Sequence, residues 1–191
     1  MRINISDGEL VYLPLFIEPE YAKKIFFYIS EKLTLKQNDI KIFGKNYKTP
    51  RLEGFFSKNG ESYGYSGGRI QAQAFTSLLS EVCQKIEEHT GQEFNSVLVN
   101  LYRDGNDSNG WHSDDEKELG NEPYIASLSL GESRKIQFKH KTKLEKHTLL
   151  IEQGSLLIMS GAIQKNWKHQ IPKTKVKKRA RINLTFRKII D

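Results

Sequence analysis

The segment Ala180-Arg181-Ile182-Asn183-Leu184-Thr185-Phe186-Arg187 alternates apolar and polar side chains without a break. Such a run fits an extended strand, because every second side chain of a strand shares a face. Ile182, Leu184 and Phe186 then belong to a core, and Arg181, Asn183, Thr185 and Arg187 line the other face. Two guanidiniums on one face are costly to enclose unless an anion accompanies them. A small dicarboxylate would satisfy them, since the guanidinium fork matches a carboxylate. The strand Val97–Tyr102 repeats the device. Val97, Val99 and Leu101 point one way; Leu98, Asn100 and Tyr102 point the other, where Asn100 and Tyr102 can donate hydrogen bonds to the same ligand. For either strand alone, a wet outer face is the ordinary alternative.

Between these strands stands Trp111-His112-Ser113-Asp114-Asp115-Glu116, and His169 follows fifty-five residues beyond Asp114. His-x-Asp with a distant His is the sequence form of a two-histidine, one-carboxylate set, which holds Fe(II) on one face and leaves positions open. A structural zinc site has every position closed by protein. The motif alone also fits a loop with a solvated acid run. Two polar-faced strands bracketing it favour the metal.

The length of 191 residues suits one domain with a sizeable core. No apolar run approaches a membrane span, and Met1-Arg2-Ile3-Asn4-Ile5-Ser6-Asp7 lacks an export signal. The single cysteine, Cys83, lies beside the stripe Phe75, Leu78, Leu79, Val82 and Ile86 and reads as a buried thiol. A reducing intracellular compartment is expected, cytoplasmic or, in a eukaryote, nuclear. Net charge is +7, and between Gln153 and Ile190 there are ten Lys or Arg and no acid, densest at Lys173, Lys175, Lys177, Lys178 and Arg179. A solvated loop would account for that run; a polyanionic partner is the functional reading.

Glu20–Leu33 and Ala74–Thr90 read as amphipathic helices, the second stopped by Gly91. From Val97 onward the pattern turns to strands: Val97–Arg103, Tyr124–Leu130, Lys135–Lys139, His147–Ile151, Ser155–Met159, Trp167–Ile171 and Ala180–Lys188. Many short strands separated by turn residues predict a sandwich or jelly roll.

Asn-x-Tyr, His-x-Asp, a late His and Arg-x-Asn-x-x-x-Arg, in that order, resemble the AlkB family of Fe(II)/2-oxoglutarate dioxygenases, which repair alkylated nucleic acids. The likeness covers about Ile42 to Ile189. It is dense at His112–Glu116, Ile125–Gly131, Gly154–Leu157 and Arg181–Arg187. It implies a mainly β fold with flanking helices and a double-stranded β-helix (jelly-roll) core. Residues 1–191 would form one domain, about 1–95 supplying support helices and a nucleotide-recognition lid and about 96–190 the core. The resemblance assigns His112, Asp114 and His169 to iron, and Asn100, Tyr102, Arg181, Asn183 and Arg187 to 2-oxoglutarate, with the two arginines on its two carboxylates.

Substrate recognition would fall elsewhere. Phe43, beside Gly44 and ahead of Pro50-Arg51, is either a core residue or an apolar wedge at a hairpin tip that fills the gap left by an extruded base. The spacing through Arg51 resembles the duplex-acting branch of the family, which would set Arg51 beside Phe43 among the substrate contacts, whereas the neighbourhood of His112 looks closer to the branch that prefers single strands. Tyr63-Gly64-Tyr65-Ser66-Gly67 is either a turn with exposed tyrosines or, as the resemblance implies, the element that stacks on and hydrogen-bonds the flipped base, with Tyr65 and His112 as the flanking pair. Asp115 and Glu116 add negative charge that would favour cationic methylated bases through Coulomb attraction in a poorly hydrated pocket. Glu116 could accept from an exocyclic amino group or be a surface acid beside Lys117, and Asp115 reads more as a residue that orients its neighbours. Lys139-His140-Lys141-Thr142-Lys143 either grips phosphate or forms a solvated hairpin. The implied activity is oxidative demethylation of 1-methyladenine and 3-methylcytosine in DNA by direct reversal, using Fe(II), 2-oxoglutarate and O₂ and releasing formaldehyde and succinate. The alternatives are an RNA demethylase, another 2-oxoglutarate hydroxylase, or a non-catalytic nucleic-acid-binding module. The expected partner is nucleic acid, DNA ahead of RNA, with no membrane and a monomeric state.

Overall fold

The computed structural model describes residues 1–42, 45–60, 63–65 and 68–190, with backbone alone at 41–42, 45–46, 63–65 and 68–70. The chain opens with β1 (Arg2–Ile3) and β2 (Glu9–Leu13), then α1 (Pro19–Lys32). The hairpin strands β3 (Asp39–Ile42) and β4 (Lys45–Lys48) lead to β5 (Leu52–Ser57). A second hairpin, β6 (Tyr63–Tyr65) with β7 (Gly68–Ile70), and the short β8 (Gln73–Ala74) precede α2 (Ser77–Thr90). There follow β9 (Ser96–Tyr102), β10 (Asn109–His112), β11 (Ile125–Gly131), β12 (Arg134–His140), β13 (Lys146–Ile151) and β14 (Leu156–Ser160). The short α3 (Ile163–Asn166), β15 (Trp167–Ile171) and β16 (Arg181–Arg187) complete it.

Among the described residues the strands form an eight-stranded sheet, ordered β1-β2-β14-β11-β16-β9-β5-β8, and a four-stranded sheet, ordered β10-β15-β12-β13, besides the two hairpins. Alternation decides how these layers stack. Ile182, Leu184 and Phe186 of β16 join Val97, Val99, Leu128 and Ile158 in a core that includes Ile25 and Ile29 of α1 and Leu79, Val82 and Ile86 of α2. On the other face of the large sheet, Leu98, Ile125, Leu157 and Met159 meet Ile136, Phe138, Ile151 and Ile171 of the small sheet. Two facing, largely antiparallel sheets buttressed by helices form the jelly-roll architecture that the sequence predicts. Both faces of β16 are covered, and all of its residues are buried.

The helices end where local chemistry stops them. Pro19 sits in the first turn of α1, where its fixed φ fits and its missing N–H costs nothing. Thr76 caps α2, its side chain accepting from Leu79 N, so that helix starts later than the expected Ala74. Gln73 and Ala74 instead pair in parallel with Phe56 and Ser57. Gly91 closes α2 at φ 66°, donating to the Glu87 carbonyl. Cys83 is fully buried against the helix core, and burial pushes its thiol up to about 12.

One expectation needs correction. The first 95 residues do not only buttress the core: β1, β2, β5 and β8 belong to the large sheet. β5 pairs with β9 from Leu52↔Leu101 to Ser57↔Ser96, and β2 pairs with β14 from Leu13↔Leu156 to Glu9↔Ser160. Neither strand announces itself by alternation. β5 is buried on both faces from Glu53 to Ser57, and its Glu-Gly pair resembles a turn. No helix among the described residues is long and apolar enough to cross a membrane.

Gly154 ties the approach to α1 against the large sheet. Ile17 N donates to its carbonyl at 2.9 Å, its φ is +74°, and an added Cβ would lie 2.4 Å from Ile17 O. Gly154→Ala should therefore destabilise the fold by about 1–3 kcal/mol, read as a lowered midpoint in urea unfolding. An unchanged midpoint would show that the Ile17 segment yields freely.

Candidate active site

β10 and β15 pair so that His112 stands directly opposite His169, and sheet register thus closes the long sequence gap. Asp114 follows two residues beyond His112. The imidazole centroids are 4.2 Å apart, and His169 Nε2 is 3.7 Å from Asp114 Oδ2. One ligand atom from each of His112, Asp114 and His169 lies within 4.8 Å of the others, and no other such cluster of three or more His, Cys, Asp or Glu occurs among the described residues.

The surrounding contacts aim these groups. His112 Nδ1 is 2.7 Å from the Gly110 carbonyl, which can only accept, so the proton belongs on Nδ1 and the Nε2 lone pair is presented. Asn109 Nδ2 meets that lone pair at 3.1 Å. Asp114 N donates to Gln164 Oε1 of α3 at 2.9 Å, and Ser113 Oγ donates to Trp167 O at 2.7 Å, fixing the segment between the ligands. Burial lowers the pKa of both histidines; for His169, burial and then the neighbouring His112 push it down to about 3. Both imidazoles are therefore neutral at ordinary pH, the form a metal requires. Burial alone would raise the Asp114 carboxyl, but the charge and hydrogen bond of Arg187 oppose it and hold the group below the usual carboxylate range. Two neutral imidazoles and one carboxylate suit Fe(II).

The two arginines of β16 divide their work. Arg187 Nη2 lies 2.5 Å from Asp114 Oδ1, both side chains almost fully buried, so the carboxylate it engages here is that of a metal-ligand candidate. Arg181, 1% exposed, donates from Nη2 to Ser129 Oγ and Asn183 Oδ1 at 2.9 and 2.8 Å. Its Nε and Nη1 have no hydrogen-bond partner among the described residues, and its guanidinium carbon is 5.2 Å from the Tyr102 ring centroid. Burial pushes this guanidinium down to about 10. Buried donors left open in a pocket lined by Asn100, Tyr102, His112, Asp114, His169, Arg181, Asn183 and Arg187 are what a carboxylate ligand needs. Asn183 serves first as an organiser: its Oδ1 accepts from Arg181 and Ser127, and its Nδ2 donates to Thr185 Oγ1.

The expected base contacts fare differently. Phe43 and Ser66 lie outside the described residues, and Tyr63 and Tyr65 are described only as backbone of β6. The strands on either side of Phe43-Gly44 do pair as a hairpin, Ile42 opposite Lys45. Asp115 does not sit in a poorly hydrated pocket. It is exposed and lies 3.3 Å from Lys141 Nζ, because neighbouring side chains of an extended segment point apart and Asp114 takes the inward position. Glu116 is half-buried at the start of a short turn, Lys117–Leu119. Arg51 is not a surface group. It is 4% exposed, and donates to Asn100 Oδ1 and to the Ser108 carbonyl. Residues missed in the sequence complete the site: Ser127 and Ser129, whose alternation in β11 was visible, and Gln164, which no local pattern marks.

The model of the 2OG-Fe(II) oxygenase superfamily matches residues 9–187. The chain is 36% identical over 186 residues to the Bos taurus alpha-ketoglutarate-dependent dioxygenase alkB homolog 3, covering 92% of this chain and 64% of that protein, less than two thirds of its length. It is 36% identical over 190 residues to the Mus musculus DNA oxidative demethylase ALKBH2, covering 94% of this chain and 79% of the relative. Among solved structures, that of OsALKBH1 superposes with a TM-score of 0.70 at 15% identity, covering 97% of this chain and 100% of that one, a likeness of fold.

Because Arg187 holds Asp114 ionised, Arg187→Met should raise the Asp114 pKa. Metal binding needs the carboxylate, so the acid limit of Mn(II) affinity should move to higher pH in the variant. Calorimetric titration between about pH 5 and 8 reads this; superimposable affinity profiles would show that the pair does not set the ligand's charge.

Proposed function

The chain belongs to the AlkB family within the 2OG-Fe(II) oxygenase superfamily, and from that membership we propose that it oxidatively demethylates N-alkylated bases in nucleic acid, with 1-methyladenine and 3-methylcytosine in DNA as its substrates. The family's requirements are Fe(II), 2-oxoglutarate and O₂. The observation that carries the proposal is the His112-Asp114-His169 cluster beside a buried Arg181 with two open nitrogens.

In this reading His112, Asp114 and His169 hold Fe(II), and Arg181, with Tyr102 and Asn100, holds 2-oxoglutarate. Bound iron supplies the oxidation of an N-methyl C–H bond by O₂, with 2-oxoglutarate converted to succinate and CO₂. Hydroxylated on that carbon, the substrate breaks its C–N bond and releases formaldehyde, which restores the base. The chain's own contribution is placement. Arg187 keeps Asp114 ionised, and Gly110 and Gln164 fix the ligands' orientation. Leu98, Ile136, Met159 and Ile171 form an apolar wall that limits water.

Charge supports a nucleic-acid substrate. On the small sheet Lys139 stands directly opposite both Lys168 and Lys146. Like charges directly opposite destabilise a sheet, and the strands β10, β12, β13 and β15 contain no acid to offset them. Lys139 Nζ also lies 4.4 Å from the ring centroid of the exposed Trp111, next to His112. A phosphate backbone along this row would relieve the repulsion while the neighbouring pocket takes a base. Lys178 pairs with Glu132, whereas Lys173, Lys175 and Lys177 are exposed in the loop before β16.

Methylated single-stranded DNA, duplex DNA and RNA, each incubated with the protein and analysed by mass spectrometry, should show restored bases that require Fe(II) and 2-oxoglutarate. His169→Ala should abolish the activity while the fold survives. Oxoglutarate-dependent demethylation at the wild-type rate by that variant would sink the metal assignment; unaltered bases on all three substrates with wild type would sink the function. If Phe43 is a wedge, Phe43→Ala should lower the ratio of duplex to single-strand activity, because extruding a base from a duplex costs a few kcal/mol that a single strand largely avoids. An unchanged ratio with a lowered melting temperature would make it a packing residue.

A further inference from the structure

Arg51 was expected at the nucleic acid, and the structure turns it inward. Its Nε donates to Asn100 Oδ1 at 2.9 Å and its Nη1 to Ser108 O at 3.1 Å, and its Nη2 lies 2.5 Å from Glu53 Oε1. Glu53 is equally enclosed, at 2% exposure, and its Oε2 accepts from Asn38 Nδ2 at 3.1 Å. Sheet register explains the meeting. Glu53 stands opposite Asn100, Asn100 opposite Asn183, and Asn183 opposite Ser129, so one polar row crosses β5, β9, β16 and β11. An ion pair enclosed in this way gives little net stability compared with apolar residues of the same volume. Its position at the end of a row of cosubstrate-pocket residues suggests another use.

A carboxamide has two ends of opposite character that can exchange by a flip. Asn100 lines the pocket, and which end faces the ligand decides whether it donates to a carboxylate or repels it. A guanidinium has no acceptor atom, so Arg51 can only be met by the carbonyl end. We propose that Arg51, anchored by Glu53, is a positioning residue for the cosubstrate: it holds Asn100 Oδ1 away from the ligand and commits Nδ2, the donor, to a 2-oxoglutarate carboxylate or keto oxygen. This rests on the reading that the pocket takes 2-oxoglutarate.

The test measures 2-oxoglutarate affinity by calorimetry on the Mn(II)-loaded protein, with no turnover. Arg51→Lys keeps a cation against Glu53 but loses the fork that reaches Asn100. The double variant Arg51→Gln/Glu53→Gln removes both charges together and leaves no lone buried ion. Both should retain a cooperative thermal melt and bind 2-oxoglutarate about tenfold more weakly, the worth of roughly one hydrogen bond. The decisive readout is a double-mutant cycle. Asn100→Ala should weaken binding to a similar extent, and Arg51→Lys in the Asn100→Ala background should weaken it no further, because Arg51 acts through Asn100. Additive losses, or wild-type affinity in Arg51→Lys, would overturn the positioning role while the pocket assignment stands. Absence of 2-oxoglutarate binding by the wild-type protein would overturn both.

Discussion

Everything around this site follows from enclosing charge between two sheets. Arg181 and Arg187 point away from the helix-facing core, but the small sheet covers them, so neither guanidinium keeps its water. An unpaired ion in such a place is expensive. Arg187 meets the need within the protein, through Asp114. Arg181 meets it only in part, with two nitrogens left open. The same strand thus carries one satisfied charge that tunes a candidate metal ligand and one incompletely satisfied charge that is ready for a carboxylate. Ser127, Ser129, Asn183 and Thr185 form a hydrogen-bonded network that keeps the Arg181 guanidinium in place.

What the sequence made legible was the local alternation of strands whose two faces differ. β9 and β16 could be read almost to the residue, and with them the polar face that lines the pocket. Gly91 marked the end of α2 for an equally local reason, its left-handed φ. β5 escaped because both of its faces are buried and nothing alternates. Arg51 shows the same limit in one side chain: its charge was visible, but burial is decided by strands far away in sequence, and an arginine beside a proline looks like a surface group. Asp114 and Asp115 are chemically alike, and only the extended backbone between them sends one inward to the histidines and the other out to Lys141. Gln164 could not have been found, since its role depends on α3 being carried across to Asp114 by β14 and β15.

The candidate metal and cosubstrate residues sit on or beside paired strands of the two facing sheets, whereas Tyr63 and Tyr65, two of the expected base contacts, belong to a hairpin outside them. That division has a physical basis. Ligand geometry tolerates little error, so it is set by sheet register, as in the His112–His169 pairing. A polymeric substrate demands reach and adaptable charge, which hairpins, loops and the lysine row provide.

The place of β16 in the large sheet has a consequence for how the chain acquires its structure. Among the described residues β16 is the last strand in sequence, yet it lies between β11 and β9, and no other strand among them joins β1-β2-β14-β11 to β9-β5-β8. Until β16 is inserted, these are two half-sheets with open edges, held together by long-range pairings and, in the first, by the β1–β2 hairpin. The main sheet therefore cannot close before β16 is available. Closure depends on contacts of high sequence separation, which form slowly and leave edges exposed to association in the meantime. The strand that ends this wait also carries Arg181, Asn183 and Arg187. Insertion of β16 therefore both joins the half-sheets and brings its three polar side chains to the pocket.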